Sequence, residues 1–379
     1  MPFRQMLLVG FALLSLVAVV DLATPGSGRF ESRLITIETL WDEAGRVPAR
    51  PPTAEERRTL DGSTLLGDGA QAVRAVVVEN TLGRLEIMPS PSGQMTAEYA
   101  VRVWEDASNN APGLATALLN EVAMTWVREG DQVRLTLQRP ERLPSGIEKL
   151  FVDVRLGVPP GAGVVVAEHA GDVAIEGISG PVRLESAGGQ AIVQDVQGTV
   201  EVNSRVTDLS IRRVLGPVQF EVRGGRAEIQ EIRGRVDGAA SYIELVVEDV
   251  EEDVHLTLGQ GFSRVRKVGG DLALQGGYGE SHVSDVAGDV TIAYRLGSVK
   301  VGVARAAELS VDMGDMEVYL EGDGGWTVAA VAEMGEIETA LPLSRLDSGL
   351  RTEVSGTIGD GAHPFKLEVS RGTVRLARR

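Results

Sequence analysis

The stretch "AIVQDVQGTVEVNSRVTDLSIRRVLGPVQFEVRGGRAEIQEIRGRV", residues 191–236, repeats its own pattern at a displacement of eighteen places. Read outward in both directions, one phase runs Ile175, Val193, Ile211, Ile229, Val247, Val265, Val283 and Val301, all β-branched. A second runs Ile178, Val196, Val214, Ile232, Val250, Val268 and Val286, and a third Val182, Val200, Val218, Val236, Val254, Leu272 and Val290. A fixed period of this length marks an array in which each repeat buries its apolar face against the next. β-Branched side chains suit that role, because they are stiff at χ1 and fill a pleated surface. Repeats stacked about 4.8 Å apart would turn each phase into an inward ladder. The expected fold is therefore all-β: a single-stranded β-solenoid, or β-helix, with 18-residue coils. A left-handed hexapeptide helix needs aliphatics every six places, whereas Val193, Val196, Val200 and Val202 are spaced 3, 4 and 2 apart. A right-handed or flattened solenoid is the expectation.

Glycine recurs at one phase, Gly180, Gly198, Gly216, Gly234, Gly270 and Gly288, with Glu252 the exception. It is read as a corner whose backbone conformation other residues resist. The phase of Asp195, Arg213, Glu231, Asp249, Lys267 and Asp285 points outward, with opposite charges at every step except Glu231 to Asp249. Such exposed pairs tune register more than stability. Near "ARAAEL" (304–309) the register slips, and Leu309, Val311, Val318 and Leu320 are taken to sit one place late, from a corner with an extra residue. Beyond Trp326 the ladder fades, and "HPFKLEVSRGTVRLARR" is expected to close the chain as a hairpin-like cap.

"GGYGESHVS" (276–284) starts like a calcium-binding roll, but Ser281 stands where that motif needs aspartate and no nine-residue neighbours repeat the ligands. Gly276, Gly277 and Gly279 are assigned to solenoid corners, and Val283 to the inward ladder.

Ahead of the repeats, "AVRAVVVENTLGRLEIMPS" and "MTAEYAVRVW" alternate as strands do. "PGLATALLNEVAMTWV" (112–127) is read as a helix capped by Asn109 or Asn110, with Leu114, Ala117, Leu118 and Val122 on one face. Together they form a small α+β N-terminal cap. Residues 24–69 read as a tether, with a stray strand at "RLITIETLW" (33–41) and a short helix from Thr53, boxed by Glu56. At the start, Arg4 precedes the uncharged run "MLLVGFALLSLVAVV" (6–20). That length suits an export signal cleaved after Ala23, or an uncleaved anchor over residues 6–23. The expected order is signal or anchor (1–23), tether (24–69), cap region (70–163), solenoid (164–325) and C-terminal end (326–379).

Net charge is −17 over 379 residues and cysteine is absent. The charge argues against nucleic-acid binding, and the lack of thiols excludes disulfides, thiolate zinc sites and cysteine nucleophiles. His169, His255, His282 and His363 share no phase and no ligand spacing, and are read as scattered surface residues. "EDVEED" (248–253) reads as a solvated acidic edge, and "DMGDMEVYLEGDGG" (312–325) lacks the spacing of a calcium loop. Polysaccharide-cleaving β-helices set charged clusters on one groove face, and Asp195, Arg213 and Glu231 are the candidates for that role. The stacking ladder accounts for them equally well. Tyr242, Tyr278, Tyr294 and Tyr319 are the aromatics that would grip sugar rings. No catalytic, metal or cofactor site is assigned.

The succession "VVVENTLGRLEIMP", "ATALLNEV" and "VDVRLGVPPGAGVVVAEHAGDVAIEGISGPVRLES", with the closing "SGTIGDG" and "FKLEVSRGTVRL", resembles the bacterial DUF4097 family of candidate adhesins over roughly residues 70–379. The resemblance implies an exported or membrane-anchored β-solenoid without catalytic residues. The expected role is that of a non-enzymatic, extracytoplasmic envelope protein offering a rigid surface to an envelope protein or surface glycan. Glycan binding or cleavage is the alternative.

Overall fold

Alternating apolar and polar residues around the 18-residue period make short strands whose apolar side faces inward. The computed structural model describes residues 50–65, 73–106, 113–205, 208–322 and 324–379. Among these residues the fold is all-β apart from one α-helix and a 3-10 turn, and hydrogen bonds join twenty-five strands into one network. The apolar run 6–20 and the stretch 33–41 lie outside the described residues. Among the described residues no helix is long and apolar enough to cross a membrane.

The N-terminal part comprises β1 (Ala54–Asp61), β2 (Ala75–Glu79), β3 (Leu82–Pro89), β4 (Thr96–Glu105), helix α1 (Leu114–Glu121), β5 (Ala123–Glu129), β6 (Gln132–Gln138) and β7 (Ile147–Val158). The helix expected from Thr53 is absent. Alternate residues of 54–61 are half-buried, and the segment pairs antiparallel with β4 as a strand. The helix expected over 112–127 is only eight residues long. It starts after Gly113, which adopts the left-handed conformation, and buries Ala115, Leu118 and Leu119. From Ala123 the chain becomes a strand, because Met124, Trp126 and their neighbours pair with β6. That sheet contact outweighs the local helical spacing. Strands β2 and β3 lie parallel on β8 (Gly163–Glu176), which starts the regular stack.

The stack contains β9 (Val182–Ala187), β10 (Gln190–Val196), β11 (Val200–Arg205), β12 (Asp208–Val214), β13 (Val218–Arg223), β14 (Arg226–Ile232), β15 (Val236–Ser241) and β16 (Ile243–Val250). It continues in three long strands, β17 (Val254–Val268), β18 (Leu272–Val286) and β19 (Val290–Val303). Each pairs in parallel with the segment eighteen residues earlier, apart from a one-residue register shift where β8 meets β9: Ile211 lies on Val193, Ile229 on Ile211, Val247 on Ile229 and Val265 on Val247. All three sequence phases are buried ladders. With few aromatics, the interior is filled mainly by stacked Val, Ile and Leu.

The outward phase has an unexpected backbone. Asp195, Arg213, Glu231, Asp249, Lys267 and Asp285 all adopt φ between 53° and 62°, and Gly177 begins the column at 72°. One left-handed residue in each rung turns the strand and explains the three-place gap from Val193 to Val196. None of the six is β-branched, in keeping with the steric cost of this region. The column also explains the register change. Val299 pairs with Met316 and Val290 with Ala307, steps of seventeen residues. The next rung therefore comes one place early, not late. Where earlier rungs read Val283, Ser284, Asp285, Val286, this one reads Val301, Gly302, Val303, and Val301, Gly302 and Val303 pair with Val318, Tyr319 and Leu320. The left-handed residue has been dropped.

The glycine corner also differs from expectation. Gly198, Gly216 and Gly234 lack positive φ. A Cβ on Gly216 would stand 2.6 Å from the Gly198 carbonyl oxygen, so close backbone stacking excludes a side chain. Left-handed glycines form a separate column, Gly261, Gly279, Gly297, Gly314 and Gly372, with φ of 134–152°. Of the stretch 276–284, Gly279 belongs to that corner. Gly276 lies within β18, where its missing side chain leaves room for the Tyr294 ring.

The C-terminal end comprises β20 (Ala307–Met313), β21 (Met316–Leu320), β22 (Trp326–Thr339), β23 (Ser344–Ser348), β24 (Arg351–Ile358) and β25 (His363–Arg378). The last strand forms no terminal hairpin. β25 inserts in parallel between β20/β21 and β22, and β24 and β23 pair antiparallel beyond β22. The ladder persists past Trp326, because Val328, Ala330, Ala332 and Ile337 continue it as buried residues.

Candidate interaction surface

The positive-φ glycine column runs through β17, β18 and β19, and the residue just before each glycine is exposed. Tyr242 N–H bonds to the Gln260 carbonyl; Gln260 pairs with Tyr278, Tyr278 with Leu296, and Leu296 with Met313. Met313 pairs with Arg371 and Arg371 with Met334. Tyr242 is 73% exposed, Tyr278 48%, Leu296 39%, Met313 40% and Met334 45%, half of the ten large exposed hydrophobics among the described residues. Six steps of about 4.8 Å make an apolar stripe roughly 30 Å long, interrupted by Gln260 and Arg371. Single exposed apolar residues need no explanation, but Tyr278, Leu296 and Met313 are direct neighbours, which sets them apart from scattered ones. The signal was present in sequence: Tyr242 and Tyr278 differ by two periods. Sorting the tyrosines as sugar-gripping residues hid the stripe they share with Leu296 and Met313.

The other tyrosines separate from these two. Tyr294 is buried, its hydroxyl is 2.7 Å from Ser281 Oγ, and burial raises its pKa. Ser281 in turn lies 2.5 Å from Ser263 Oγ, so the three hydroxyls satisfy one another inside the stack. Tyr319 lies on another face, with the Arg379 guanidinium 3.8 Å from its ring centroid.

Asp195, Arg213 and Glu231 do come together, along a groove of about 470 Å³. Val196 and Ile232 line its floor, Gln197, Leu215, Arg233 and Glu251 border it, and Asp249 extends the charged column. The trough arises where left-handed residues tip one row of side chains away from the next. Arg213 grips both oxygens of Asp195, at 2.6 and 2.8 Å. That hydrogen-bonded pair holds the Asp195 carboxyl below its usual range and pushes Arg213 further above its own. A general acid at neutral pH needs the opposite shift, so Asp195 is unsuited to donate a proton. The other expected ion-pair steps do not close; Lys267 instead lies 3.8 Å from Glu248. Within "EDVEED", Glu248 meets Arg266 and Lys267, and Glu251 lies 3.6 Å from Arg233.

One histidine is not a surface residue. His169 is fully buried; Thr81 Oγ1 is 3.0 Å from Nδ1 and the Asp172 carbonyl 3.1 Å from Nε2. The carbonyl can only accept, so Nε2 carries the proton and Nδ1 accepts from Thr81. Desolvation lowers its pKa to about 4. His255 pairs with Asp237, His282 with Glu280, and His363 packs on Trp326. Among the described residues no three His, Asp or Glu side chains converge as metal ligands.

No family model matches the chain, and no curated protein matches it. The DUF4097 resemblance therefore rests on the quoted residues. Solved structures align at low similarity. A candidate cell adhesion protein from Clostridium sporogenes is 10% identical, covering 87% of this chain and all of its own, with a TM-score of 0.19. A candidate adhesin from Bacteroides fragilis is 10% identical over 87% of this chain and all of its own, with a TM-score of 0.24. One from Parabacteroides distasonis is 13% identical over 86% of this chain and 97% of its own, with a TM-score of 0.26. At these scores the alignments carry no argument about this chain.

Proposed function

We propose that the chain is a non-enzymatic β-solenoid of the cell envelope that holds a rigid apolar stripe against a partner protein, as an adhesin-like or scaffolding surface. The exposed line Tyr242, Tyr278, Leu296, Met313 and Met334 carries this reading. Parallel rungs hold the positions of those side chains, so docking orders little backbone and loses little entropy. The apolar run 6–20 supports an extracytoplasmic location for the described part.

The test is site-specific photocrosslinking in intact cells, with a photoreactive residue at position 296 or, as control, at exposed Thr257. A discrete adduct at position 296, absent at 257 and lost when Tyr278 and Met313 are both changed to Ser, supports the assignment. Equal adducts at both positions, or none at 296, refute it.

A further inference from the structure

The face formed by β17, β18, β19 and β21 carries a second feature, independent of the apolar stripe. Arg264, His282, Lys300 and Glu317 lie in one row across four neighbouring strands. Two places along the chain, the parallel row reads Arg266, Ser284, Gly302 and Tyr319. Ser284 and Gly302 leave the middle of that row without long side chains. Arg266 and Tyr319 stand at its ends, three strand spacings or roughly 14 Å apart. The result is a depression of about 260 Å³ lined by Arg264, Arg266, His282, Lys300, Tyr319, Glu321 and Arg379. Four permanent cations and a histidine face one carboxylate there, in a chain whose net charge is −17.

Most of these cations are held from the rim. Arg266 pairs with Glu248, Lys300 with Glu317 at 2.9 Å, and Arg379 lies 3.9 Å from Glu321 and 3.8 Å from the Tyr319 ring centroid. His282 meets Glu280 at 2.7 Å. These contacts fix the side chains yet use only part of their hydrogen-bonding capacity, since a guanidinium has five N–H donors and an ammonium three. Arg264 is different. Its guanidinium lies 5.5 Å from the Phe262 ring centroid, and among the described residues no carboxylate stands within ion-pair distance of it. Fixed cations, spare donors and a floor of small residues are what recognition of an oxyanion requires.

We propose that this depression binds an oxyanion, the carboxylate or phosphate group of a small ligand, between Arg264, Arg266, Lys300 and Arg379. The reading goes beyond docking through the stripe and lies on a different face. The full chain is titrated by calorimetry at low ionic strength with two probes, inorganic phosphate and glucuronate. Arg264→Gln removes the free guanidinium, and Ser284→Leu fills the floor without changing charge. Arg233→Gln, which lines the other groove and not the depression, is the control. Saturable binding of either probe, weakened roughly tenfold or more by both pocket substitutions and unchanged by the control, supports the site. The preferred probe then separates a phosphate ligand from a carboxylate one. Absence of saturable binding by both probes overturns it, as does binding that survives Arg264→Gln in a normally folded protein.

Discussion

Replacing Ile229 with Asp tests the interior where the stack is most regular. Ile229 is fully buried, with Ile211 below and Val247 above in the same ladder. Removing most of its aliphatic side chain costs about 3 kcal/mol in lost transfer energy and cavity formation. Aspartate must also enter protonated, and protonating a carboxyl of pKa about 3.9 at pH 7 adds roughly 4 kcal/mol. Together these reach roughly 7 kcal/mol, comparable with the whole stability of an ordinary domain. Ile229→Val keeps the ladder and costs only about 1 kcal/mol. Thr257→Asp, on the exposed face, is expected to stay within about 0.5 kcal/mol of the parent. The assay is urea denaturation followed by circular dichroism, with limited proteolysis to detect opening of single rungs. The expected order is Thr257→Asp, Ile229→Val, then Ile229→Asp unfolded or nicked within residues 190–250. An Ile229→Asp protein with parental midpoint and protease resistance refutes the inward register.

Other perturbations probe separate devices. Burial lowers the His169 pKa to about 4, while the unfolded residue titrates near 6.5. The unfolded chain therefore binds the extra proton between these values, and the folded state loses about 3 kcal/mol as pH falls through the interval. Denaturation midpoints from pH 7 to pH 4 should drop less steeply in His169→Gln than in the parent. Gly279→Ala combines a φ of +134° with a Cβ only 1.8 Å from the Gly261 carbonyl oxygen, whereas Gly216→Ala meets only the clash at 2.6 Å. Both should destabilise by about 2 kcal/mol or more, Gly279→Ala the more severely, and thermal melts rank them. Arg213→Ala breaks an exposed pair with Asp195 and should leave the melting temperature unchanged. A marked fall would show that the outward column contributes more than register.

The parts legible in sequence are those that repeat. Three buried columns, their phase and the all-β class follow from β-branched residues alone, because one side chain in each rung meets its own counterpart. Backbone conformation was less legible. The column of Asp195, Arg213 and Glu231 could be read as charge, but its left-handed φ leaves only the three-place gap between Val193 and Val196 as a trace. Gly216 and Gly279 both read as corners, yet one is required by a neighbouring backbone and the other by φ. Non-repeating segments were harder still. Val122 stands four places after Leu118, as on one helix face, and only pairing with β6, later in the chain, makes the residues after it a strand. The destination of β25 between β20/β21 and β22 is set by long-range pairing that no local pattern encodes. The apolar stripe was recoverable from the period, as Tyr242 and Tyr278 show, but only by asking which outward columns lack charge.

The left-handed residue gives the molecule a unit of growth. A rung that contains it measures eighteen residues and the rung that lacks it seventeen. An in-frame duplication of eighteen codons anywhere between residues 191 and 286 would return every buried column to its own phase, lengthening the stack by one strand spacing. Between β10 and β21 the seventeen-residue step occurs once, just before strands that must accept β25. A rung without the left-handed residue also keeps the inward face, since Leu309 and Val311 lie buried on Ile292 and Tyr294 across the seventeen-residue step. Rung length is therefore set by whether the left-handed residue is present, and the buried columns tolerate either length so long as a rung is added whole.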